Sequence, residues 1–180
     1  MKNYSQALSF IAAVVVCASG ILTVGCDTGS VEAENIQVYF SSQDACDIKV
    51  ASLIDGAERE LNIALYSFNR KIIADAVLNA FKRNVSVRLV VDGDQAESAA
   101  SKDEYLEAAG ISVKRDKHPG YGAMHHKFAV IDGRTVITGS YNWTTNATTN
   151  NDENMIVINS RNTAGAYNQE FERLWAHAGF

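Results

Sequence analysis

"MHHKFAVIDGRTVITGSYNWT", residues 124–144, decides how the rest of this chain is read. Two apolar segments, HKFAVID and TVITGS, flank Asp132-Gly133, a strong short-range signal for a tight hairpin turn. Side chains alternate faces along a strand. His125 and Lys127 therefore share one face, while His126, Phe128, Val130 and Asp132 take the other. A histidine and a lysine can thus act together on one substrate atom, and Asp132 stands apart from them. Beyond the second strand, Gly139 removes a side chain where backbone must approach something closely. Ser140 and Asn142 then offer a hydroxyl and an amide at the strand's end, where open parallel sheets bind ligands. An isolated His-x-Lys or Gly-Ser says little, so the joint spacing carries the signal.

The flanking sequence alternates its periods. IQVYF (36–40) reads as a strand, and Val50, Leu53, Ile54 and Ala57 follow the spacing of an amphipathic helix. LNIALYSF (61–68) is a buried-type strand. Ile73, Ala76, Val77, Ala80 and Phe81 mark the next helix, and VSVRLVVDG (85–93) the next strand. Tyr105 and Leu106 suggest a short helix before ISVK. NMIVI (154–158) is a further strand, and Ala164, Tyr167, Phe171 and Leu174 define a closing helix. Alternating strands and helices predict an α/β fold: a mixed, largely parallel β-sheet flanked by helices, over residues 36–180. No internal repeat is visible.

Bulk charge excludes one class of binder. The 180 residues carry a net charge of -5, so a grip on a polyanion through overall positive charge is out of the question. Any such grip must be local. Residues 114–127, KRDKHPGYGAMHHK, hold four Lys or Arg, three of the four histidines and one acid, Asp116. Abutting the hairpin, this stretch suits a track for a polyanion.

The first 26 residues have Lys2 and then no charge as far as Cys26, which marks a secretory signal or membrane anchor. Ala7 to Cys26 is just long enough to span a bilayer if uncut. LTVGC alternatively resembles a lipoprotein signal with Cys26 acylated, although Thr23 stands where that pattern prefers Leu. Cleavage after a small-residue site is the third outcome. Each exports the protein, to the periplasm or to a membrane facing outside the cytoplasm. Residues 27–35 read as a polar tether. Cys46 is left alone in the domain, so no disulfide framework is expected, and beside an apolar pattern it reads as a small core residue.

The spacing His125-x-Lys127-x4-Asp132-x6-Gly139-Ser140-x-Asn142 resembles the His-Lys-Asp motif of the phospholipase D superfamily at every defined position. Asn151-Asp152-Glu153-Asn154 is similar to the Asn-x-Glu-Asn of that superfamily's small bacterial endonucleases. YSF (66–68) and YLEAAGISVKRD (105–116) extend the likeness upstream. The resemblance implies a phospholipase D-like fold with His125 as the nucleophile that attacks phosphorus and forms a phosphohistidine. Lys127 and Asn142 would hold the non-bridging oxygens, with Ser140 assisting. Glu153 would orient the histidine from its other ring nitrogen. Asp132 and Gly139 would be structural. His126, His118 and Lys117 are candidate substrate contacts. No metal and no cofactor is implied, since a lysine stands where a cation would act.

This chemistry needs a second histidine to protonate the leaving oxygen and then activate water. With a single motif copy, the resemblance implies a homodimer sharing one site across a two-fold axis; His118 as a local acid is the other possibility. The compact single-motif form and the basic stretch favour nucleic acid as substrate. Net acidity and membrane attachment through the N-terminus fit a phospholipid hydrolase. A non-catalytic phosphate- or DNA-binding module on this fold is the remaining reading.

Overall fold

In the computed structural model, which describes residues 35–117 and 122–179, the predicted alternation takes the following form. The first half contains β1 (Asn35–Phe40), α1 (Cys46–Asp55), β2 (Glu60–Leu65), α2 (Lys71–Lys82) and β3 (Ser86–Asp92). Then come the short helices α3 (Gly93–Ala96) and α4 (Asp103–Glu107), followed by β4 (Ser112–Asp116). The quoted hairpin is β5 (Lys127–Ile131) and β6 (Thr135–Gly139). α5 (Thr145–Thr149), β7 (Asn154–Asn159) and α6 (Arg161–His177) follow. β2 stops at Leu65, three residues before its predicted end, and the tether's last residue, Asn35, opens β1. Among the described residues no helix is long and apolar enough to cross a membrane. Cys26 and the rest of the apolar N-terminal segment lie outside the described residues, as does His118.

The seven strands form one sheet in the order β1-β7-β6-β5-β2-β3-β4. Only β2/β3 and β3/β4 pair in parallel, and the other four pairings are antiparallel. The sheet is mixed, as expected, but its pairing is not largely parallel. The physical reason lies in two non-local choices. The β5–β6 hairpin lies antiparallel beside β2, with Leu65 opposite Lys127. β1 does not join β2 but runs to the far edge and pairs with β7, Phe40 opposite Asn154. Periodicity reports which face a residue takes, and says nothing of which strand lies beside it.

Both sheet faces are covered, giving two cores. Leu61, Ile63 and Leu65 of β2, Leu89 of β3 and Ala129 of β5 pack beneath α1 and α2 with Ile54, Ile73 and Val77. The alternate residues Ala64, Val90, Phe128 and Val130 meet Phe171 and Leu174 of α6. Burying each large aliphatic or aromatic side chain contributes about 1.5–3 kcal/mol, which is what fixes the register of β5. Asn62 intrudes on the α6 side, 2% exposed. It is satisfied by donating to Asn168 Oδ1 at 3.1 Å and accepting from Arg88 Nε at 3.0 Å. Ser160 caps α6 by accepting from the Thr163 N–H at 3.2 Å. Cys46 is buried, and burial, followed by the charges of Asp44 and Asp47, pushes its thiol up to about 11.

Candidate active site

The hairpin turn adopts the backbone that its sequence calls for. Asp132 and Gly133 both have positive φ, 54° and 63°, and the Arg134 N–H donates to the Ile131 carbonyl at 3.0 Å. Those dihedrals match the twist of the flanking strands. The Asp132 carboxylate faces away from the strand entrance and accepts from the backbone N–H groups of Arg59 at 2.8 Å, Glu60 at 3.0 Å and Glu58 at 3.1 Å. Burial opposes its ionisation, but these N–H groups and the nearby Arg59 outweigh it and hold the carboxyl below its ordinary value. Asp132 thus ties the closed end of the hairpin to the start of β2.

The open ends of the hairpin meet the end of β2 at the opposite end of these central strands. The Tyr66 N–H donates to the His126 carbonyl at 2.7 Å, so the chain entering β5 is held against the chain leaving β2. Phe68 and Trp143, both essentially buried, meet edge to face with centroids 5.5 Å apart. The N–H groups of Asn69 and Arg70 both donate to the Trp143 carbonyl, at 3.0 and 2.9 Å. Removing a buried tryptophan of this kind costs about 3–5 kcal/mol. The segment carrying Asn142 is therefore anchored on both sides.

His125 and Lys127 fall on the same side, and His126 on the other. The Lys127 Nζ donates to the His125 carbonyl at 2.8 Å. Burial lowers the Lys127 ammonium from the ordinary lysine value, opposed by the charges of Glu153 and Asp92. His126 points to α6, where its Nε2 lies 3.0 Å from Glu170 Oε1 and its ring meets the edge of Phe128. The same Glu170 pairs with Arg173, which, with His126 adding to it against burial, pulls the carboxyl down to about 2.

Gly139 has φ of +137°, and a β-carbon there would lie 2.4 Å from the Asn154 carbonyl oxygen. The close approach inferred for this glycine is to β7, the strand that brings Glu153 in. Ser140 Oγ donates to Glu153 Oε2 at 2.5 Å and accepts from the Asn154 N–H at 3.1 Å. Glu153 Oε1 accepts from Asn151 at 2.8 Å. Within one chain, then, the Glu153 carboxylate accepts from Ser140 and Asn151 and makes no bond to His125, the partner expected for it. Its charge is nonetheless felt by Lys127. Asn142 Oδ1 is buried without a hydrogen-bond partner. An unpaired buried amide atom costs about 1–3 kcal/mol, and such unfinished contacts call for an explanation at the site where they occur.

The basic stretch is a second correction. Lys114 Nζ donates to the Trp175 carbonyl at 2.7 Å, Arg115 pairs with Asp103 and Glu107, and Lys117 pairs with Glu97 at 2.7 Å. Each of its four cations thus has a partner within the chain, Lys127 through the His125 carbonyl, and the stretch is not the free polyanion track that its composition suggested. The acids responsible lie 8 to 20 residues away in sequence, beyond the reach of a composition window. Two site residues went unassigned from sequence. Tyr66 was visible only as part of YSF. Asp92, 3% exposed, accepts from the Met124 N–H at 3.0 Å, one residue before His125. Among the described residues no group of three or more His, Cys, Asp or Glu side chains is placed to hold a metal ion.

The domain that carries this arrangement, a histidine and lysine at a strand entrance with a serine, an amide and a carboxylate brought in by the next two strands, is similar to known proteins. The family described as "Cardiolipin synthase, PLD-like domain" matches residues 50–175. The chain belongs to the phospholipase D superfamily. Its phospholipase D-like domain is 42% identical over 132 residues to the mitochondrial cardiolipin hydrolase of Xenopus tropicalis, covering 73% of this chain and 62% of that one. The chain thus spans about three fifths of the length of that relative. Nuc from Salmonella typhimurium, a phospholipase D family member of known crystal structure, superposes with a TM-score of 0.75 at 31% identity. That match covers 81% of this chain and 97% of Nuc. NucT from Helicobacter pylori matches with the same TM-score, 0.75, at 25% identity, covering 81% of this chain and 98% of NucT. The phospholipase D-like domain is therefore similar to Nuc and NucT along nearly their whole length.

Proposed function

We propose that this domain is a phosphodiesterase that cuts DNA and RNA without sequence preference, through a phosphohistidine. The observation that carries the reading is the shared face of His125 and Lys127, with Ser140, Asn142 and Glu153 brought to the same end of the central strands. In the first step a His125 ring nitrogen bonds to phosphorus as the bond to the leaving oxygen breaks. Lys127 and the Asn142 amide hold the non-bridging oxygens as charge grows on them. The leaving oxygen takes a proton from a second histidine, which then removes one from the water that cleaves the phosphorus–nitrogen bond. We assign that second histidine to the partner subunit's copy of the motif in a two-fold dimer, because the chain carries the motif once. We also place the domain outside the cytoplasm, on the strength of the uncharged apolar stretch before Cys26.

Nucleic acid is favoured by the likeness to Nuc and NucT over nearly their full length, the described residues carrying no broad apolar insertion to admit acyl chains. The second reading, hydrolysis of a phospholipid, is favoured by the 42% identity to a cardiolipin hydrolase. One experiment separates them. The purified protein is given plasmid, single-stranded DNA, RNA and cardiolipin-containing vesicles, each with EDTA present. Cutting of the nucleic acids with the vesicles intact is the expected result. Headgroup release with no cutting would overturn the substrate, and activity that EDTA abolishes and magnesium restores would overturn the mechanism.

A further inference from the structure

Tyr66 sits one residue beyond β2, and its ring lies against both working groups of the motif. Its centroid is 4.4 Å from that of the His125 ring, with the planes inclined at 53°. Lys127 Nζ lies 4.7 Å from the same Tyr66 centroid. Among the described residues, no side chain hydrogen-bonds the His125 imidazole, and Glu153 accepts instead from Ser140 and Asn151. The Tyr66 ring is therefore the aromatic surface that limits how the imidazole can turn. The backbone beneath that ring is anchored. The Tyr66 N–H donates to the His126 carbonyl at 2.7 Å, which ties the backbone that carries the ring to the backbone that carries the histidine. An aromatic face attracts a cation through its quadrupole, and Lys127 at 4.7 Å is within the distance where this operates.

We propose that Tyr66 is the positioning residue of the site: its ring seats His125 for attack and fixes the Lys127 ammonium beside it, in place of a carboxylate orienter within the chain. The ring does this work and the phenol oxygen does not, because both contacts are to the ring. The inference goes beyond the phosphodiesterase reading and rests on it only for the activity arm of the test.

The test compares Tyr66→Phe with Tyr66→Leu in the full chain. The Phe variant keeps the ring and should hold kcat within about twofold. The Leu variant keeps an apolar side chain of similar reach and should lose about tenfold or more in kcat with little change in KM, the signature of a misaimed nucleophile. A second readout is independent of activity. The ring protons of His125, assigned by their loss in His125→Ala, lie in the ring current of Tyr66; they should move in the Leu variant and stay in place in the Phe variant. If Leu matches wild type in kcat, or if Phe loses as much as Leu, the positioning role is overturned. If no phosphodiester is cut by the wild type, the ring-proton shifts still decide whether Tyr66 seats His125, and the failure belongs to the activity reading alone.

Discussion

Glu170 on α6 holds His126 at 3.0 Å, on the face of β5 opposite to Lys127. Two adjacent histidines thus have separate assignments, one against α6 and one at the candidate active site. His125→Ala should abolish activity, by roughly 10³-fold or more if it is the nucleophile. His126→Ala should retain most activity, with a stability change within about 1 kcal/mol for so exposed a pair. Rates measured on folded variants check this; equal losses would mean that strand parity does not separate the two.

Asp132 should matter for stability and for its pH dependence. Asp132→Ala leaves the N–H groups of Glu58, Arg59 and Glu60 without their acceptor, and should cost about 1–3 kcal/mol in denaturant unfolding. The sign of the pH effect follows from the lowered carboxyl value. A group ionised more readily when folded stabilises the protein above its unfolded value, near pH 4. That contribution should fade as pH falls further, so the gap between wild type and variant should be full at pH 6 and shrink below pH 4.

Gly139→Ala tests the close approach of β6 to β7. A β-carbon would stand 2.4 Å from the Asn154 carbonyl and 2.8 Å from its side-chain oxygen, at a φ of +137°. Both obstacles are on β7, next to Glu153, so the change should lower the melting temperature and weaken activity together. A variant as stable and active as wild type would show that the strands can part at no cost.

The proposed two-fold site makes a numerical forecast. Wild-type and His125→Ala chains are unfolded together in equal amounts and refolded into random dimers. A site that needs both histidines leaves about one quarter of the wild-type activity, whereas self-sufficient chains leave about half. A mixture of separately folded proteins is the control. A result of one half, or a fully active monomer, would remove the partner from the mechanism and direct attention to His118.

Much of this was legible in the sequence, and the limits have physical causes. The faces of His125, Lys127 and His126 follow from strand parity, a local property of seven residues. The turn at Asp132-Gly133 and the crowding at Gly139 were likewise readable, because backbone demands show in residue type. Helices α3 and α5 were not foreseen. They have four and five residues, no apolar period, and caps from Asp92 and Thr144 that are visible only once folded. The place of β1 beside β7 is a choice among strands of similar pattern. The engagement of Glu153 by Ser140 joins residues 13 apart and depends on how β6 meets β7.

The pairing of β1 with β7 has a further consequence, for the order of assembly. The β5–β6 hairpin closes over a few residues and can form early, but Ile36 must wait for Ile158, which lies more than a hundred residues downstream. Such distant contacts are made late in folding, because the intervening chain must be ordered before they are rewarded. At the end of β1, Ser41 accepts from the Glu153 N–H at 2.9 Å and donates to the Asn151 carbonyl at 2.8 Å. The carboxylate of the candidate site is therefore supported where the first strand of the domain meets the last. On a ribosome making the chain from its N-terminus, β1 emerges first and waits through the synthesis of five further strands before β7 arrives, so this corner of the site stays open until nearly the whole domain is available.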